Sequence, residues 1–390
     1  MLLAIEKLIK MKQHYADLIG GIQTNNEIKI TAMILFLALV PGLALADNVV
    51  LMELGSKAAK TAMEQLKFEK GDQNVLALTN AGHAIVEGQT TQAALKGLNI
   101  ESGCNVGDGN LFQILRPYWK PLWFYFYNKA TGEAVYMQVD GKALNKSQEE
   151  FKALPNDKVF SKVSKANVDL DYMLNHTNEG NATFDKKAFA GNEFTLVGMS
   201  NVWAEPGATF DFLQATAFHD HLCPGVTSGY MIAKFVENKM PINNISTESY
   251  KVIACPQWCK DDLLQMRWDA TPGKSGMFVM ALTDIEKKAL NAKYNQSDVA
   301  GIYIRWNDTA KEGDALVLGF NWTRTRELDG SVNYKGPSWA PKLIEDIRLM
   351  EYWNQPDAVV SIIKEFKVDQ SKLSLLQSAG MHPLKVAGVM

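Results

Sequence analysis

Gly107-Asp108-Gly109-Asn110-Leu111-Phe112 lies on Gly273-Lys274-Ser275-Gly276-Met277-Phe278 with small residues on small residues and Leu-Phe on Met-Phe. A competing register sets Gly88-Gln89-Thr90 against Gly207-Ala208-Thr209 and Cys104 against Cys223. The two cannot hold in one continuous alignment. Either one makes the chain two related α+β halves, each an antiparallel or mixed sheet flanked by helices, with a helical tail at the C-terminus. The expected divisions are a leader over 1–46, a first half over 47–140, a polar connection over 141–190, a second half over 191–335 and the tail over 336–390.

Working outward, Leu51, Leu54, Ala58, Ala62 and Leu66 recur at helical spacing between Asn48 and Leu66. A strand is expected at Asn74 to Thr79, then a helix opening at Thr90 or Thr91 with a hydroxyl cap. Aromatic and β-branched runs at Trp119 to Tyr127 and Glu133 to Val139 flank a turn and read as a hairpin. In the second half, Phe194 to Met199 reads as a strand, Phe210 opens a helix, and Pro224 begins another whose apolar face runs from Val226 to Val236. Strands follow at Gly301 to Trp306 and Ala315 to Trp322. The tail reads as helices at Trp339 to Trp353, Asp357 to Phe366 and Gln370 to Ser378, packing on the body or on a partner such as a second copy of the chain.

Basic and acidic residues nearly balance, 40 against 43, and no basic stripe interleaved with aromatics occurs, which excludes a nucleic-acid partner. Met33 to Ala46 is apolar, too short to span a bilayer comfortably, and ends in Ala44-Leu45-Ala46 before Asp47. This is the core and cleavage site of a signal peptide, or an uncleaved membrane anchor, and it predicts an extracytoplasmic protein, secreted or membrane-anchored. Asn-x-Ser/Thr triplets at Asn145, Asn175, Asn181, Asn244, Asn295, Asn307 and Asn321 fit that location.

The densest chemistry is Phe218-His219-Asp220-His221-Leu222-Cys223-Pro224-Gly225. In an extended stretch His219, His221 and Cys223 share a face and present two imidazoles and a thiolate to one cation, as zinc sites do. Cys255-Pro256-Gln257-Trp258-Cys259 adds two thiols at a spacing that suits a looser metal site or a disulfide equally, and Cys104 stands alone. Cys223 precedes Pro224 at a helix start, where free amides and the dipole favour a thiolate, either ligand or nucleophile. Serine-hydrolase elbows, His-Glu-x-x-His helices, dinucleotide fingerprints and haem attachment motifs are absent from the sequence.

These motifs resemble the FmdE-like family, the E subunits of formylmethanofuran dehydrogenase, whose signature is written His-Gly-His-x-Cys-Pro-Gly. The similarity continues through Cys259-Lys260-Asp261-Asp262-Leu263-Leu264-Gln265 and Thr271-Pro272-Gly273-Lys274, and returns weakly at Gly103-Cys104-Asn105-Val106-Gly107-Asp108-Gly109-Asn110-Leu111, a degenerate first copy. Asp220 replaces the family's glycine, and Ala270 stands where a second downstream cysteine is expected. Cys104 is therefore expected to face the cluster across a pseudo-dimer.

The resemblance implies a metal-binding protein with His219, His221, Cys223, Cys255, Cys259 and Cys104 as candidate ligands, zinc as the expected ion and iron as the alternative. A small-molecule ligand is expected beside the ion. Cys223 and Asp262 are the candidate catalytic groups, and Gln265 and Lys274 the candidate cofactor contacts. Methanogenic or one-carbon metabolism is implied by the family alone. The competing function is a noncatalytic binding or accessory module whose cysteines are structural or disulfide-bonded.

Overall fold

The computed structural model of the protein describes residues 49–295 and 297–390. The leader expected over 1–46 lies outside these residues. Among the described residues no helix is long and apolar enough to cross a membrane.

Helix α1 (49–66) forms because its apolar stripe meets a core: Leu51, Leu54, Ala58, Ala62 and Leu66 are all buried. It leads to β1 (Val75–Thr79), a short ribbon of β2 (Ile85–Val86) and β3 (Gln89–Thr90), α2 (Ala93–Ser102), β4 (Leu111–Gln113), the hairpin β5 (Trp123–Asn128) and β6 (Glu133–Val139), and β7 (Phe160–Asn167). The first sheet runs β4-β1-β5-β6-β7, and only β1 and β4 are parallel.

The second half opens with three helices, α3 (Glu193–Ala204), α4 (Phe210–Phe218) and α5 (Pro224–Lys239). Then come β8 (Glu248–Ala254), α6 (Lys260–Trp268), β9 (Met277–Val279), α7 (Asp284–Lys293) and the hairpin β10 (Asp298–Asn307) and β11 (Glu312–Phe320). Helix α8 (Ala340–Arg348), β12 (Val360–Asp369) and α9 (Gln370–Gln377) end the chain's main elements. This sheet runs β9-β8-β10-β11-β12, and only β8 and β9 are parallel. Strand for strand, the two sheets share one order and one set of directions.

Leu111 opens β4 and Met277 opens β9, so the register of 107–112 on 273–278 is the one these sheets have in common. The competing register fails because Cys104 leads into strand β4, whereas Cys223 leads into helix α5.

The α+β class is as expected, and its layers explain where the site lies. Helices α1 and α2 cover the outer face of the first sheet in a core that holds Ala77, Phe124 and Phe126. The other face, with Leu76, Tyr125 and Tyr127, joins α3, α4, α5, α8 and the inner face of the second sheet in one large central core. The far face of the second sheet, with Ile253 and Ile302, is covered by α7, α9 and the C-terminus.

Several expectations need correction. Phe194 to Met199 is part of α3, whose residues are buried nearly all round, so no one-sided stripe marks it as a helix. Asp357 to Phe366 is largely edge strand β12, where Lys364, Glu365 and Lys367 supply the charges that imitate a helical face. The tail is therefore not wholly helical. Helix α2 starts at Ala93 without a side-chain cap. The hydroxyl of Thr91 instead donates to Ala84 O at 2.7 Å and accepts from Gly82 N at 2.9 Å, closing the loop. The polar stretch 141–190 does more than connect, since it supplies β7.

Candidate metal centre

Helix α4 ends at Phe218, with His219 as its C-cap at φ −73°, and Asp220 follows at φ 78°. The His219–Cys223 run is thus a turn between two helices and not the extended stretch expected. It achieves convergence all the same: a nitrogen of His219, a nitrogen of His221 and the Cys223 sulfur lie within 4.8 Å of one another. The two imidazole ring centroids are 4.6 Å apart. Cys223 caps α5 with Pro224 as the first helical residue, as the sequence indicates.

Cys259 joins them from the start of α6. Gly225 makes this approach possible, because a methyl group on it would lie 2.8 Å from Cys259 Cβ and 3.1 Å from its sulfur, with Cys223 Sγ at 3.5 Å. Gly229, one turn along, has the same function toward the Lys260 backbone, where a methyl would lie 2.8 Å away. The loop before Cys259 is clamped from below. Lys260, fully buried, donates to Asp261 Oδ1 at 2.7 Å and to Pro256 O at 3.2 Å, and its ammonium sits 4.2 Å from the Trp258 ring centre. Asp261 accepts from Trp258 N at 3.0 Å, and the indole donates to Ser228 Oγ at 3.0 Å. A buried charge so fully paired fixes geometry more than it adds stability.

His219 is held by a relay. Its Nδ1 meets Asp262 Oδ2 at 2.6 Å, and Gln265 Nε2 donates to Asp262 Oδ1 at 3.1 Å. Nε2 is buried without a hydrogen-bond partner in the protein, the disposition of a ligating nitrogen whose other ring nitrogen is fixed by a carboxylate. Burial works against charge on this imidazole, yet Asp262 and the Cys259 sulfur together lift its pKa to about 9. Burial and the neighbouring imidazolium push His221 below its usual range.

The sulfurs divide their roles contrary to the helix-start expectation. A hydrogen bond from Cys223 and the His219 charge pull Cys259 down, making it the thiolate. Cys223, donating to that thiolate and buried, is held up as the thiol although the Val226 amide pulls the other way. Two imidazoles and two sulfurs are the borderline-to-soft donors that suit zinc or iron(II) rather than magnesium or calcium, so the residues present fit such an ion.

The remaining candidates lie elsewhere. Cys104 is buried on the outer face of the first sheet, its sulfur 3.8 Å from Val75 O, so a sheet separates it from the cluster. Cys255 belongs to the core on the far face of the second sheet. Strand alternation decides this, since Ala254 faces the central core and the next residue must face away. No disulfide joins any of the four cysteines. Lys274 lies in an exposed turn and pairs with Asp269. Asp262, a candidate catalytic group, accepts from both His219 and Gln265, and Gln265, a candidate cofactor contact, is bound to Asp262.

Sequence reasoning passed over Arg116. From the loop after β4, its Nη1 lies 2.5 Å from Asp220 Oδ1. The only hint was an aspartate between two histidines with no partner nearby in sequence.

Residues 218–339 match the family model described as FmdE, Molybdenum formylmethanofuran dehydrogenase operon. This segment is FmdE-like. The FmdE match begins beside His219, takes in Cys223, Cys259, Asp262 and Gln265, and stops at Trp339, just before α8. Arg116 and the whole first sheet fall outside it. No curated protein matches the chain.

Proposed function

We propose that this is an extracytoplasmic metal-binding protein in which an FmdE-like half holds one zinc ion through His219, His221, Cys223 and Cys259, with iron as the other ion the donors accept. The convergence of three ligand atoms within 4.8 Å supports this most strongly, with the Asp262 relay aiming His219 Nε2. Four protein ligands close a tetrahedral shell, and exchange of one of them opens a position for a small molecule. A bound ion supplies Lewis acidity there. Near-balanced charge favours such a ligand over nucleic acid. The setting in one-carbon metabolism, as in methanogens, is inherited from the family match. The first half is read as a copy that kept the sheet and lost the ligands.

A second function, a noncatalytic module with Cys223 and Cys259 oxidised to a disulfide, is favoured by one feature: both sulfurs rest on Gly225. Metal analysis of the purified, reduced protein separates the two. About one zinc or iron per chain, lost on His221→Ala, supports the metal centre, whereas no metal and two fewer free thiols after air exposure supports the module.

A further inference from the structure

Asp220 stands between His219 and His221 with φ 78°, a conformation glycine adopts freely and a residue with a Cβ resists. The peptide that fixes the mutual angle of the two imidazoles is therefore in a state its own side chain disfavours. What holds it comes from the other half of the molecule. Arg116 Nη1 lies 2.5 Å from Asp220 Oδ1 and 2.7 Å from Oδ2. Its Nη2 donates to Asn192 Oδ1 at 2.8 Å and Thr195 Oγ1 at 3.3 Å, at the start of α3. The next residue back, Leu115, donates its amide to Ala217 O at 2.9 Å, tying the loop to the last turn of α4. Thr195 Oγ1 also donates to Asp220 O at 3.4 Å. A planar fork anchored on two further side chains orients a carboxylate as a flexible ammonium cannot.

We infer that Arg116 is a positioning residue for the metal centre: by pairing with Asp220 it keeps that residue left-handed and so sets the two histidines at the angle a shared ion requires. The half of the chain without ligands thereby completes the half that has them. Without the pair, Asp220 relaxes toward negative φ and the rings at 219 and 221, now 4.6 Å apart, swing out of common reach. This rests on the metal-binding function proposed above.

The test is a cycle of four proteins: the parent, Arg116→Met, Asp220→Gly and the double variant. Each is titrated with Co²⁺ while its visible absorption is followed, and each is melted in EDTA. Arg116→Met is expected to weaken Co²⁺ binding about tenfold or more in the parent, the scale of losing an outer support. In the Asp220→Gly background it is expected to change binding by less than about twofold, because glycine needs no holding. Equal losses in both backgrounds, or none in the parent, overturn the inference. Should Arg116→Met fail to fold, Asp220→Gly alone decides: binding at least as tight as the parent upholds it, and weaker binding refutes it. The EDTA melts separate this from the metal question. If the parent takes up no Co²⁺ the metal function falls, but a melting temperature lowered by Arg116→Met only when residue 220 is aspartate still supports the coupling, and an equal drop in both backgrounds removes it.

Discussion

The same five-stranded order is built twice in this chain, and among the described residues only the second copy brings together a His/Cys group that could hold a metal. Helix α1 lies against α2 as α5 lies against α6: Gly55 abuts Ala94, and Gly229 abuts Lys260, with no room for a methyl at either glycine. With those contacts as the common point, Val49, Ala93 and Lys96 occupy the places of Cys223, Cys259 and Asp262. Cys104 occupies the place of Ala270, and both are buried to the same degree, 1% exposed. The first half shows that sheet, crossover helix and hairpin fold around an apolar core and buried hydrogen bonds of Thr79, Asn80 and Thr91, without a His/Cys cluster among the described residues. The candidate ligands of the second half lie where two helix starts meet, at places the first half fills with Val49 and Ala93.

That contrast can be broken most sharply by exchanging one sulfur in each half. Cys223→Ser is expected to lower zinc affinity by about a thousandfold or more, since a ligand is lost outright. Cys104→Ala should leave metal content unchanged and cost on the order of 1 kcal/mol of stability, read by calorimetric titration and urea unfolding. Loss of metal in the Cys104 variant would make the halves share a site after all.

Acid should weaken metal binding by the second half. His219 is held protonated to about pH 9 in the metal-free protein, and a ligand nitrogen must shed that proton. Cys223, held up as the thiol, must shed a second proton, so affinity is expected to rise with pH by about a hundredfold for each of the two protons from pH 6 to pH 8. A flat profile in competition titrations would show that His219 is not a ligand. Next in size is Asp262→Asn, expected to weaken zinc about tenfold, against no change for Lys96→Asn at the corresponding place in α2. Gln265→Leu, one hydrogen bond further out, should cost only about two- to fivefold in the same titration.

Much of this was legible in the sequence where local chemistry decides the outcome. Pro224 after Cys223 marks the start of α5, the stripe from Leu51 to Leu66 marks α1, and the aromatic runs around Gly132 mark a hairpin. Three of the six ligand candidates meet in space because they sit on one turn, and Cys259 joins them through the glycine at 225. What was not legible depends on parity and on distant partners. Cys255 is lost from the cluster by a single step of strand alternation, and Cys104 by the thickness of a sheet. Buried all round, α3 offered no period to read, and exposed charges disguised β12. Both sulfurs cap helix starts, and the thiolate falls to Cys259 because it accepts a hydrogen bond from Cys223 and lies beside the His219 imidazolium.

X-ray absorption at the zinc edge of the metal-loaded protein tests the centre most directly. Two sulfurs at about 2.3 Å and two imidazole nitrogens at about 2.0 Å are expected, from Cys223, Cys259, His219 and His221. A shell of oxygens only, a four-sulfur shell that draws in Cys104 and Cys255, or failure to take up zinc at all would contradict a single centre confined to the second half.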